Sequence, residues 1–278
     1  MVRIFFAMKY DNRPIGIFDS GIGGLTIADG LINLMPKESM IYFGDTQHLP
    51  YGDKSAKTVQ RYSLGITQFL NENNCKAIVI ACNTASALAY PIVKERFPDI
   101  KIYNVIDPVV ENVAQTNLSK VGVIATRATI KSDIYALRIA ELNASINTVS
   151  MATPLLVPMI EEGFHNRNVS HEIISAYLSN EKLNNIEELI LGCTHYPLIK
   201  KEIKEFYGGK VEIIDSPGIV AEKVYRDLHK NNMLSNMDRA DYKFFVSDLT
   251  DSFEASAGKF IHYDNIHLSE VKLWEKPS

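Results

Sequence analysis

Nine short apolar, often β-branched runs, separated by stretches of helical periodicity, restrict this chain to a narrow set of folds. They are Ile15–Phe18, Met40–Phe43, Ala77–Cys82, Ile102–Ile106, Val121–Ala125, Ile146–Met151, Leu189–Gly192, Val211–Ile214 and Tyr242–Val246. One intervening helix reads from Ser55 to Asn71. Val59, Tyr62, Ile66, Phe69 and Leu70 share a face of it, and Ser55 stands where a cap belongs. Strand and helix in alternation predict an α/β architecture of parallel sheets, because parallel neighbours need a crossover and a helix supplies it. A chain of 278 residues is long enough for one large or two modest domains of this kind.

A weak internal repeat favours two. Asp19 ends the strand "IGIF" and opens a loop, and Thr126 does the same after "VGVIA", 107 residues on. Leu49-Pro50 returns as Val157-Pro158 at an offset of 108, and "NVIDP" (104–108) as "IIDSP" (213–217), whose shared Ile-Asp is also offset by 108. Cys82 returns as Cys193 after 111. Each landmark alone is cheap, but four in one order at nearly one spacing predict a duplicated α/β unit. All lie at carboxyl ends of strands, where open parallel sheets bind ligands. Two such units facing each other would bring Cys82 and Cys193 to one cleft from opposite sides.

Composition removes several alternatives. The net charge of −4 is spread, without the basic stripe that tracks phosphates, so nucleic acid is not an expected partner. No apolar run reaches membrane length. The opening "MVRIFFAMKYDNRP" has two arginines, Arg3 and Arg13, and a five-residue apolar run, too short for a signal sequence, and Met8 offers an alternative start. Three cysteines, an odd count without a CxxC pair, imply no disulfide framework. The expectation is a soluble, cytoplasmic protein with reduced thiols.

Two strand ends carry the chemistry: "AIVIACNTASALA" (77–89) and "ELILGCTHYPLI" (188–199). A cysteine at a helix N-terminus is favoured as thiolate, and Asn83, Thr84 and Thr194 offer capping groups just after each sulfur. A thiolate on one side takes a proton; a thiol on the other gives one back. That pair inverts a carbon bearing an acidic hydrogen, so cofactor-independent racemisation or epimerisation is the expected reaction. Cys75, in "NENNCKAI", reads as a core residue. The turn "FDSGIGGL" (18–25) lacks the lysine of a P-loop and breaks the dinucleotide spacing at Thr26. Close backbone approach to a small anion, with Asp19 and Ser20 facing the ligand, is the expected use. His195 is placed to partner the thiol of Cys193. The remaining histidines form no ligand-spaced set.

Together "GIFDSGIGGLT", "GDTQHLPYGDKS", "IVIACNTASALA", "LLVPMIEEG" and "LGCTHYPLI" resemble the glutamate racemases of the cofactor-independent Asp/Glu racemase superfamily. The resemblance runs from residue 16 to about 217, and is looser beyond 218. It implies two pseudo-symmetric parallel-sheet α/β domains with the active site between them, one of residues 1–106 plus 216–278 and one of 107–215. It implies interconversion of L- and D-glutamate without cofactor or metal, D-glutamate for bacterial peptidoglycan, and a homodimer. Cys82 matches the cysteine that acts on D-glutamate, and Cys193 the one that acts on L-glutamate. Asp19 matches the acid beside the first thiol, while Glu161 and His195 match the pair beside the second, with Glu162 an alternative to Glu161. Ser20, Tyr51, Gly52, Asn83, Thr84 and Thr194 fall on substrate-binding positions, as do Pro50 and Thr126. Met151-Ala152-Thr153 stands where the family often has a cysteine, a non-catalytic departure.

Three other readings stay in view: a sister racemase for aspartate or a hydantoin-like substrate, a zinc site of Cys82, Cys193, His195 and Asp19, and a binding protein that keeps the pocket without turnover. Pyridoxal phosphate is disfavoured, on the reading that no lysine sits in any of the motif loops.

Overall fold

A computed structural model describes residues 10–263 and 266–275. The apolar run near the start of the chain and Met8 lie outside the described residues. Ten strands are present among those described: β1 (Ile15–Asp19), β2 (Met40–Gly44), β3 (Ala77–Ile80), β4 (Lys101–Asn104), β5 (Lys120–Ala125), β6 (Asn147–Ala152), β7 (Glu188–Gly192), β8 (Glu212–Ile214), β9 (Tyr242–Val246) and β10 (Leu268–Glu270). They form two sheets, ordered β10-β9-β2-β1-β3-β4 and β6-β5-β7-β8, and every ladder is parallel. The fold is therefore two parallel-sheet α/β domains. The order β2-β1-β3-β4 is repeated as β6-β5-β7-β8. That repetition is the physical counterpart of the offset near 108 in the sequence.

The strands form where the sequence offers continuous apolar runs. β1, β2 and β3 are buried throughout, as central parallel strands covered on both faces must be. Two expected strands end early. Ala77–Cys82 stops at Ile80, and Cys82 turns the chain into the helix Asn83–Arg96 by accepting the amide of Ala85 at 3.4 Å. Ile102–Ile106 stops at Asn104, whose side-chain oxygen accepts the amides of Ile106 (2.9 Å) and Asp107 (2.8 Å) and starts the helix Asp107–Ala114. The helix Ala56–Glu72 begins after Ser55, which accepts the amide of Thr58 at 3.3 Å. It buries Val59, Tyr62, Ile66 and Leu70 and leaves Phe69 half-buried.

One apolar core runs from Ile15, Ile17 and Val79 of the first sheet to Ile124, Leu189 and Leu191 of the second. The two domains thus share a packed seam. Away from the strand ends, a buried ion pair closes the first domain. Lys76 Nζ donates to Glu38 Oε2 at 2.5 Å and to the carbonyls of Asp11 (2.6 Å) and Met233 (2.7 Å), while Glu38 Oε1 accepts the amide of Ser235 at 2.7 Å. Cys75 is buried nearby and its thiol is pushed up to about 12 by burial. No helix among the described residues is long and apolar enough to cross a membrane.

Candidate active site

β3 and β7 occupy the same place in their sheets, and each releases a cysteine at its carboxyl end. Cys82 and Cys193 line one cavity between the domains, each only 6 % exposed. The loop after β2 contributes Pro50, Tyr51 and Gly52, and the helix behind Cys82 contributes Asn83 and Thr84. From the second domain come Thr126, Glu161, Thr194 and His195. Ser20 also lines the cavity. Asp19 does not: it lies fully buried behind the lining.

The glycine turn after β1 also packs closely against the other domain. A Cβ on Gly23 would stand 2.4 Å from the His195 ring and 2.7 Å from Thr194 Oγ1. A Cβ on Gly52 would stand 2.8 Å from Thr126 Cβ. Both glycines let one domain's backbone approach side chains of the other, so they set the spacing of the cavity walls.

The two thiols differ in their surroundings. Cys82 caps a full helix, the setting expected to favour thiolate, yet burial pushes its thiol up to about 12 and the neighbouring Asp19 adds to the rise. The amide of Ala85 and the Ser20 hydroxyl, 3.6 Å from the sulfur, oppose this without reversing it. Cys193 is followed by a 3-10 turn, Tyr196–Ile199, and a regular helix starts only at Lys200. The expected α-helix N-terminus is therefore absent there, and a histidine takes its place. His195 Nδ1 lies 3.8 Å from the sulfur, and Nε2 lies 3.0 Å from Glu161 Oε1. Glu162, the alternative to Glu161, is exposed.

Burial opposes charge on His195, but its pairing with Cys193 and Glu161 outweighs that and raises the ring to about 10. A raised folded-state value means that the contribution to stability is complete below about 6.5 and lost as pH climbs through about 10. Urea unfolding at a series of pH values is expected to show this decline in the wild type. It should be absent from His195→Asn, the difference reaching at most about 1.4 kcal/mol per pH unit. Equal slopes for the two proteins would mean that the imidazole is not held charged.

Burial also raises the carboxyl of Asp19, against the charge of His195 and the amides of Gly21, Gly24 and Ser20. Its Oδ2 accepts the Gly21 amide at 3.0 Å, and its Oδ1 is buried with no hydrogen-bond partner in the structure.

Several contacts have no local signature in the sequence. Tyr135, from the second domain, donates to Asn83 Oδ1 at 2.7 Å and leaves Asn83 Nδ2 without a partner. Thr129 joins Thr84 and Thr126 in a triangle of hydroxyls, with sides of 3.2, 3.0 and 2.9 Å. Arg127, Thr153, Pro154, Val157 and Pro158 complete much of the second domain's wall. Contrary to the expectation that the motif loops hold no lysine, Lys54 lies in the motif 44–55; among the described residues no lysine lines the cavity. Among the described residues no three histidine, cysteine or acidic side chains gather as metal ligands, so the zinc set considered above is not assembled.

The Asp/Glu/Hydantoin racemase family matches residues 26–224. A glutamate racemase of Geobacter metallireducens is 41% identical over 251 residues, 90% of this chain and 93% of that protein. One from Neisseria meningitidis serogroup A is 39% identical over 263 residues, 94% and 97% of the two chains. The crystal structure of glutamate racemase from Francisella tularensis in complex with D-glutamate superposes with a TM-score of 0.90 at 43% identity, covering 95% of this chain and 99% of that one. Fold and matches together define a cofactor-independent racemase. The chain belongs to the Asp/Glu/Hydantoin racemase family.

Proposed function

We propose that the protein is a glutamate racemase in which Cys82 and Cys193 are the acid and the base. One observation carries the reading: two buried cysteines, at equivalent strand ends of two like sheets, line a single cavity. In the L-to-D direction Cys193, beside a protonated His195, takes the Cα proton. The C–H electron pair stays on the substrate as a carbanion-like centre flanked by the α-carboxylate. Cys82, held as a thiol by burial and Asp19, then delivers its own proton to the opposite face. The D-to-L direction runs the same steps backwards. Asp19 assists Cys82, and Glu161 orients and charges His195.

The substrate brings two carboxylates and an ammonium. Neutral donors suit it, and the groups that would bind it are Ser20, Asn83 and Thr84 with the loop of Pro50, Tyr51 and Gly52 from the first domain, and Thr126 and Thr194 from the second. The unpartnered amide nitrogen of Asn83 supports this reading, because a buried donor without an acceptor costs about 1–3 kcal/mol until a ligand accepts from it. Exclusion of water from so buried a site strengthens each contact and shields the carbanion. The proposal extends to D-glutamate supply for peptidoglycan in a bacterial cytoplasm, to a homodimer, and to domain limits of 1–106 with 216–278 and 107–215.

The test uses purified protein with L-glutamate in D₂O, chelator present and no cofactor added. Optical rotation is expected to decay while deuterium enters at Cα. Absence of both with glutamate would overturn the substrate, and aspartate tested next would separate a sister racemase from a non-catalytic binding protein.

A further inference from the structure

Tyr51 stands in the cavity wall, but its hydroxyl points away from the other wall residues to a carboxylate behind them. Tyr51 Oη donates to Asp45 Oδ2 at 2.6 Å. Asp45 is fully buried and collects three further groups: Trp274 Nε1 at 2.9 Å, Ser247 Oγ at 2.9 Å and His48 Nδ1 at 3.0 Å. Ser247 follows β9, and Trp274 lies beyond β10. Both are past residue 224, outside the span matched by the racemase family. The Trp274 ring rests against Gly65 of the helix Ala56–Glu72, where a Cβ would stand 2.8 Å from it. It meets His48 edge-on at 5.2 Å, and His48 in turn stacks on Tyr62 at 4.0 Å.

An indole nitrogen is a donor only, so its single hydrogen bond fixes where the ring lies. A buried carboxylate with its donors in place is rigid, and one donor fewer leaves it under-satisfied. Trp274 is thereby linked, through one carboxylate, to a residue that touches the cavity.

We infer that Asp45 and Trp274 are positioning residues, and that the C-terminal segment 271–275 is a strap fixing Tyr51 and the loop 49–53 in the cavity wall. The inference rests on the glutamate racemase reading. Neither residue touches the cavity; they act by holding one that does.

The full-length chain is tested as Trp274→Phe, Tyr51→Phe and the double variant, with KM and kcat for glutamate measured in both directions. Trp274 is half-buried, and phenylalanine keeps an aromatic ring there while removing the N–H and part of the indole that packs on Gly65. Trp274→Phe is expected to raise KM about tenfold, as for one lost hydrogen bond to a charged group, with kcat within about twofold. The double variant is expected to be no worse than the weaker single, because both substitutions break one link. An unchanged KM in Trp274→Phe, or KM effects that multiply in the double variant, would overturn the inference. Trp274 is the chain's single tryptophan, so Asp45→Asn gives an independent readout. Its emission is expected to shift to the red as the strap lifts; emission identical to wild type overturns the link. Failure of the functional reading is distinguishable, since it appears as a wild type that does not turn over glutamate.

Discussion

Cys82→Ala and Cys193→Ala are each expected to lower kcat/KM for glutamate by roughly 10²–10⁴-fold, the usual contribution of one positioned acid or base. Both directions should suffer in both variants. A proton taken on one face must be replaced from the other, and microscopic reversibility makes each thiol the base in one direction and the acid in the other. The double variant should be little worse than either single, because two groups that act as a unit do not contribute additively. The unfolding midpoint of Cys82→Ala should stay near that of the wild type, since alanine is an acceptable small residue there, whereas Cys193→Ala also removes a partner of His195. Enantiomer-resolved chromatography from L- and from D-glutamate decides the matter. A single variant that keeps racemisation within tenfold of wild type in either direction would remove that cysteine from the chemistry.

The largest effect on folding is expected at Lys76. Its side chain is 0% exposed and that of Glu38 2% exposed, and between them they engage Asp11, Met233 and Ser235. Lys76→Met leaves a buried carboxylate without its countercharge, and the expected loss is about 3–5 kcal/mol. Glu38→Gln strips the charge from the other side and should be similarly costly. The pair Glu38→Leu with Lys76→Met should recover most of the loss, because a well-packed apolar pair is often as stable as a buried ion pair. Urea unfolding of the four proteins closes the cycle. A Lys76→Met protein as stable as wild type would show that Glu38 does not depend on this countercharge. Either way racemisation by folded protein should be near normal, since the pair lies away from the strand ends that build the cavity.

The main strands were legible because central parallel strands, buried on both faces, must be written as apolar runs. β10 escaped because Leu268-Ser269-Glu270 is three residues long with only Leu268 buried, which leaves no periodicity to read. The repeat at an offset near 108 foreshadowed two sheets of the same strand order. Local motifs brought Cys82, Cys193 and the glycine turn to notice, since strand ends and helix starts are adjacent in sequence. What was hidden came from distance. Tyr135 reaches Asn83 across 52 positions, and Trp274 reaches Asp45 across 229. Nothing near either residue marks it. The ionisation of Cys82 is out of the sequence's reach for a related reason: helix position can be read from it, but the burial that outweighs helix position cannot.

The triangle of Thr84, Thr126 and Thr129 has a consequence for occupancy. Thr84 belongs to the first domain and the other two to the second, so the ring straddles the seam. Each hydroxyl owns one proton, and a closed ring of three spends all three internally. An acceptor that arrives in the cavity can draw a proton only by opening the ring, which then holds two bonds instead of three. Filling the cavity therefore opens a ring in which two of the three sides are ties between the domains.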